Sequence, residues 1–250
     1  MKKILAIFLA LFIGVSLHAG KITLAVAANV TYAMDELISA FNETYPDTKV
    51  ETSLTSSGKL TAQIRNGAPF DIFMAANMAY PEALYSEKIA VTEPKIYAQG
   101  ALAFLTSKST DFSDGLKLLA SKKIGKIAIA NPKTAPYGTA AVEAMKNVGI
   151  YDEVASKLVY AESISQTVTY ALKAADIGLV NASAMYSDKM TQYKEGTHWA
   201  LVDSKTYTPI DQGIVLLKRA QNNPEAKAFY EFMLSDGARE ILSRYGYLLP

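Results

Sequence analysis

The sequence predicts an α/β protein of two lobes, each a mostly parallel sheet flanked by helices, with a hinge that the chain crosses twice. Three observations carry this. Alternating apolar residues switch again and again to helical spacing. The series stops at Pro94 and restarts with a new strand near Ala101. A late strand and two helices follow the second series, which returns the chain to the first lobe.

In the first series Ile22, Leu24 and Val26 alternate, giving a strand over Lys21–Ala28. Met34, Leu37, Ile38, Phe41 and Tyr45 then follow helical spacing until Pro46 stops them. A second strand is expected from Lys49 to Thr55. Ser56 or Ser57 caps a helix whose apolar face is Leu60 and Ile64, ended by Gly67. Asp71–Ala75 reads as a strand and Asn77–Leu84 as a helix. After the restart, strands are expected at Ala101–Thr106, Lys126–Ala130, Lys157–Ala161 and Ile177–Val180. Helices are expected at Leu116–Ala120, Thr139–Val148 and Gln166–Ala174. The closing elements are a strand at Gly213–Leu217 and helices at Pro224–Leu234 and Ala238–Tyr245. The crossings fall near Tyr97–Gly100 and Ser204–Ile210. Residues 20–98 and 210–250 are thus assigned to the first lobe and 99–209 to the second.

The start of the chain has its own logic. Lys2-Lys3, an apolar run from Ile4 to Leu17, and small Ala19 before Gly20 make a secretory signal peptide over residues 1–19. The run is shorter than the roughly 20 residues a spanning helix needs. There is no cysteine, which excludes a lipid-modified terminal Cys, disulfides and thiolate metal sites. An exported chain without cysteine suits the periplasm. The net charge of +1 and the absence of a strongly basic stretch argue against nucleic acid. Past the leader only His198 remains, so no site built on several histidines is possible.

Candidate ligand contacts lie where strands run into helices. Three junctions are rich in small hydrogen-bonding residues and nearly free of charge: Ala27-Ala28-Asn29-Val30-Thr31, Leu54-Thr55-Ser56-Ser57-Gly58, and Asn131 to Gly138. A helix start leaves backbone N–H groups unpartnered and carries about half a positive charge, so several aimed at one spot would hold an anion. Asn29, Ser56 and Ser57 can be helix caps, ligand contacts or both. Tyr137-Gly138 repeats the arrangement, although Tyr137 alone is equally a packed aromatic. Ser163-Ile164-Ser165 and Asn181, after Gly178-Leu179-Val180, add two further strand ends. No Gly-x-Ser-x-Gly turn and no phosphate-binding Gly-x-x-x-x-Gly-Lys-Ser/Thr loop occurs. Glu162, the carboxylate nearest these junctions, reads as a solvated or structural residue. A pocket of donors alone suits a fully deprotonated tetrahedral oxyanion.

The chain resembles the periplasmic molybdate-binding proteins of bacterial molybdenum ABC importers. The matching stretches are Lys21 to Asn29 with Ala33-Met34, Thr55-Ser56-Ser57-Gly58-Lys59-Leu60, Gly67 to Phe73, and Asn131-Pro132 with Ala135-Pro136-Tyr137-Gly138. Ala161-Glu162-Ser163-Ile164, Gly178-Leu179-Val180, Ala228-Phe229-Tyr230 and Arg244-Tyr245-Gly246-Tyr247 follow. The resemblance implies the two-lobed periplasmic-binding-protein fold. It implies molybdate, and tungstate with it, as ligand, and contacts at Asn29, Ser57, Tyr137, Ile164 through its backbone N–H, and Asn181. Asn29 and Asn181 stand where familiar members carry serine and tyrosine; both can donate. It further implies the importer's membrane permease as partner, a monomeric state, no catalysis, no cofactor and no protein side chain bound to the metal. The rivals are a receptor for sulfate or thiosulfate, a ferric-iron receptor, and an exported α/β hydrolase. No Tyr-Tyr pair supports iron, and no histidine with a nucleophile supports the hydrolase.

Overall fold

The computed structural model describes residues 20–249; the expected signal peptide lies outside the described residues. The first series of elements is β1 (Lys21–Ala27), α1 (Met34–Thr44), β2 (Lys49–Thr55), α2 (Ser57–Arg65), β3 (Ile72–Ala75) and α3 (Ala79–Ser86). Then come β4 (Lys95–Gly100), β5 (Leu102–Leu105), β6 (Ile127–Ala130), α4 (Pro136–Asn147), α5 (Tyr151–Val154), β7 (Leu158–Ala161), α6 (Ile164–Lys173), β8 (Ile177–Asn181) and β9 (Trp199–Leu201). The last elements are β10 (Ile210–Leu216), α7 (Pro224–Met233) and α8 (Asp236–Arg244).

The strands form two five-stranded sheets, ordered β2-β1-β3-β10-β4 and β7-β6-β8-β5-β9. This is the two-lobed α/β fold the sequence predicts. Each sheet is mixed. In the first, β1 pairs in parallel with β2 and β3, whereas β10 runs antiparallel to both β3 and β4. In the second, β6 is parallel to β7 and β8, and β5 is antiparallel to β8 and β9. The reversed strands are those next to the crossings. A strand that comes from the other lobe enters its sheet from the opposite end.

Period-two alternation sorts the strand residues onto two faces. Ile22, Leu24 and Val26 pack with Met34, Leu37 and Phe41 of α1 and with Phe229 and Met233 of α7. Ala25, Phe73 and Val215 face the other way, onto Leu60, Ile64 and Leu84. In the second lobe Phe104, Ile127, Ile129 and Leu179 pack against Ala141, Ala144 and Met145 of α4. Ala103, Leu105 and Val180 meet Val168 and Ala171 of α6 and Trp199. The two crossing strands are neighbours: Ile210 pairs with Gly100 and Asp211 with Gln99, and the register then slips, leaving Tyr97 as an extra residue opposite Gln212 and Gly213.

Candidate functional site

The helix starts after β1, β2, β6 and β7 converge between the lobes. Asn29 lies in the 3-10 turn Ala28–Tyr32 that follows β1, and Ser57 is the first residue of α2. Tyr137 is second in α4, behind Pro136, and Ile164 is first in α6. All four are buried, with 1 %, 0 %, 1 % and 4 % of their surface exposed. With Ala28, Ser56, Ala76 and Ala135 they enclose a cavity of about 10 Å³. Among the described residues no charged side chain lines it. The first-turn N–H groups of Ser57 and Ile164 have no helical partner, and the dipoles of α2 and α6 add partial positive charge.

Local chemistry explains the geometry. Pro136 at the start of α4 lacks an N–H that would be orphaned there anyway. A Cβ on Gly138 would stand 2.1 Å from the Ala130 carbonyl oxygen, so only glycine lets α4 press onto the end of β6. Ser57 Oγ accepts the Ala76 N–H at 2.9 Å, which pins α2 to the end of β3 and leaves the hydroxyl proton free to donate. Ser56 Oγ is buried and unpartnered. Ser163 is a cap, accepting the Gln166 N–H at 3.3 Å.

Asn29 is held by a network that the sequence gives no sign of. Its Nδ2 donates to Gln212 Oε1 and to the Tyr247 hydroxyl, both at 2.8 Å. Its carbonyl oxygen accepts from the Tyr247 hydroxyl at 2.9 Å, Ser183 Oγ at 3.1 Å and Asn181 Nδ2 at 3.2 Å. The two amide hydrogens expected to serve as free donors are therefore both used inside the protein. Asn181 is not in the cavity wall. Its amide goes to the Asn29 carbonyl and to Ser183 Oγ at 2.6 Å. Gln212, Tyr247 and Ser183 lie 183, 218 and 154 residues from Asn29, and no local motif marks them.

Burial pushes the Tyr137 hydroxyl well above its ordinary pKa; nearby Tyr247, Tyr97 and Tyr207 add to the rise, and the Asn29 amide opposes it. Burial likewise raises Tyr247, against hydrogen bonds from Ser183 and Asn29. Both stay neutral near pH 7.

Direct contacts tie the lobes together around the cavity. Gly58 N–H donates to the Thr134 carbonyl at 2.9 Å, and Ser165 Oγ donates to the Ala28 carbonyl at 2.7 Å. At the rim Lys59 pairs with Glu162 at 2.8 Å, so Glu162 is a solvated residue with a cross-lobe partner. A larger cleft of about 810 Å³ lies elsewhere, lined by Phe104, Phe112, Leu201 and Leu248 together with Asp114, Asp203 and Lys117. It is an open groove of mixed character and none of the four helix starts reaches it.

The sequence profile of the bacterial extracellular solute-binding proteins matches residues 22–248. The chain belongs to this family. Among curated relatives, the molybdate-binding protein ModA of Azotobacter vinelandii is 37% identical over 235 residues, covering 92% of this chain and 90% of that protein. ModA of Rhodobacter capsulatus is 36% identical over 244 residues, covering 96% and 94%. The solved structure of the Azotobacter vinelandii periplasmic molybdate-binding protein superposes with a TM-score of 0.84 at 28% identity, covering 92% of this chain and 99% of that one. The sulfate-binding protein SubI of Mycobacterium tuberculosis shares the fold, with a TM-score of 0.77, at 13% identity. Ligands of open α/β sheets sit beyond strand carboxyl ends, beside helix starts.

Proposed function

We propose that this solute-binding protein captures molybdate, and tungstate too, in the periplasm and hands it as a monomer to the permease of an ABC importer. It makes and breaks no bond. The observation that carries the reading is the cavity itself: four buried helix-start residues drawn from both lobes, with no charged side chain in the wall. A fully ionised tetrahedral oxyanion needs donors on every side and offers no proton in return. The ligand names of the ModA relatives support the same choice.

In this reading Ser57, Tyr137, Ile164 and Asn29 form the seat, Asn29 through its backbone. Asn181 braces Asn29 from the other lobe rather than touching the anion. Because every seat residue is buried, the anion enters only when the segments 20–98 and 210–250 swing away from 99–209, and closure then strips its water. Calorimetric titration of the purified protein with molybdate, tungstate, sulfate and phosphate tests the assignment. Molybdate and tungstate should both give heat of binding. Heat from sulfate or phosphate with none from molybdate would overturn it.

A further inference from the structure

Gln212 is fully buried on β10, two residues after the chain returns from the second lobe. The polarity of its carboxamide is settled by its neighbours. A peptide carbonyl can only accept, so the 2.8 Å contact with the Ile210 oxygen is made by Gln212 Nε2. That turns Oε1 toward Asn29, which must answer with Nδ2, at 2.8 Å. The Tyr247 hydroxyl spends its proton on the Asn29 carbonyl, so it too must accept from Nδ2. One backbone carbonyl thus dictates, through two side-chain amides, which way Asn29 faces. Asn29 Oδ1 is left buried and unpaired. The relay begins at the hinge, since Ile210 pairs with Gly100 of the other crossing strand. Gly100 also makes the space: a Cβ there would stand 2.0 Å from the Tyr137 hydroxyl and 3.0 Å from Gln212 Nε2.

We infer that Gln212 is a positioning residue for the anion seat, holding Asn29 and its turn in one orientation and linking that wall of the cavity to the hinge. The inference rests on the molybdate reading above. Gln212 touches no ligand in this account; it acts through Asn29. The groups around it that titrate are the hydroxyls of Tyr97, Tyr137 and Tyr247, all raised by burial, and Asp211, whose carboxylate takes the Gln99 amide at 2.8 Å.

The test compares Gln212→Leu, Gln212→Glu, Asn29→Ala and the double variant Asn29→Ala/Gln212→Leu with wild type. Each is titrated with molybdate at pH 6, 7 and 8, with circular dichroism to confirm folding. Gln212→Leu keeps the bulk but leaves Asn29 Nδ2 and the Ile210 carbonyl short of partners. It should bind roughly 10- to 100-fold more weakly at every pH. Gln212→Glu can restore both contacts only when protonated, because the O–H then donates to Ile210 and the other oxygen accepts from Asn29. Burial raises a carboxyl pKa, so this variant should bind weakly at pH 8 and recover at least tenfold by pH 6, while wild type stays level. In the Asn29→Ala background Gln212→Leu should cost less than threefold. Wild-type-like binding by Gln212→Leu overturns the inference. So does a loss that is additive with Asn29→Ala and not recovered by protonated Gln212→Glu, which would make Gln212 a packing residue only. Wild type that takes up no molybdate overturns the functional reading and the positioning role with it, and is told apart because wild type is measured in the same series.

Discussion

Replacing Gly58 with alanine should move stability and affinity in opposite directions. Gly58 is the second residue of α2, and its N–H donates across the cleft to the Thr134 carbonyl at 2.9 Å. A Cβ at this position would stand 3.0 Å from both Cα and the carbonyl oxygen of Thr134, and 2.8 Å from the Tyr80 hydroxyl. Tyr80 can swing aside; the Thr134 backbone belongs to the opposite lobe and cannot move without it. Overpacking of this kind costs about 1–3 kcal/mol. Losing the cross-cleft hydrogen bond adds about 0.5–1.5 kcal/mol. The closed form therefore loses about 2–4 kcal/mol, and molybdate affinity falls by roughly 30- to 1000-fold. The open form meets no such clash. There alanine in place of glycine favours the helix by up to about 1 kcal/mol. For a chain of this size the melting temperature without ligand should rise by about 1–3 °C. Calorimetric titration gives the first quantity and a thermal melt monitored by circular dichroism gives the second. A Gly58→Ala protein that binds molybdate as tightly as wild type would refute the argument, because the lobes would then not need to meet at this point.

Three further outcomes are expected. Asn29→Asp sets a negative charge beside the anion seat and turns a carboxylate oxygen on Gln212 Oε1; at ~4 Å and an effective dielectric of ~20 each charge pair costs about 4 kcal/mol, so even after generous screening the loss should reach about a thousandfold. Folded Asn29→Asp with unimpaired titration would remove this junction from the site. Binding should not change between pH 6 and 8: the Tyr137 and Tyr247 hydroxyls are raised by burial and remain protonated throughout that interval, and a tenfold drift would show an ionisable group in the wall. Glu162→Ala removes an exposed rim pair and should weaken binding no more than about fivefold, an effect that fades in high salt; a larger or salt-independent loss would place Glu162 in the seat.

The fold was legible wherever local pattern decides structure. Alternation in Lys21–Ala27 marks β1, whose large apolar residues Ile22, Leu24 and Val26 share one face, and the 3.6 spacing from Met34 marks α1, which buries Met34, Leu37 and Phe41. Residue pattern does not distinguish the crossing strand β4, Lys95–Gly100, from a connection, and it gives no sign of β9, Trp199–Leu201. Both are edge strands, held by a single neighbour, so only half their surroundings imprint a pattern. In each sheet four strands run one way and one, β10 or β5, runs the other, and which strand reverses is hidden for a related reason. Strand direction at β10 depends on which lobe the chain is coming from, and no residue on β10 records that. In the site, the junction residues Asn29, Ser57, Tyr137 and Ile164 were visible because strand ends and caps are local features. Asn181 was visible too, but its brace on the Asn29 carbonyl was not. Gln212 and Tyr247 were invisible, because their role exists only once chain segments far apart in sequence have met.

The position of β10 has a consequence for how the protein comes to exist. Strands β5 to β9 make a complete sheet from one unbroken stretch of chain, so the second lobe has every partner it needs as soon as that stretch is available. The first lobe does not. Its sheet lacks the strand between β3 and β4 until β10 arrives, and Asn29 lacks its Tyr247 support until later still. Leu248 then zips onto Gln99 of β4 through reciprocal backbone bonds at 2.8 and 2.9 Å. A chain delivered from its N-terminus would therefore shape the second lobe early, while β1 to β3 wait with an open edge, the kind of edge that recruits foreign strands. Competence to hold an anion is the last property acquired, and the waiting half-sheet is the species a chaperone would need to shield.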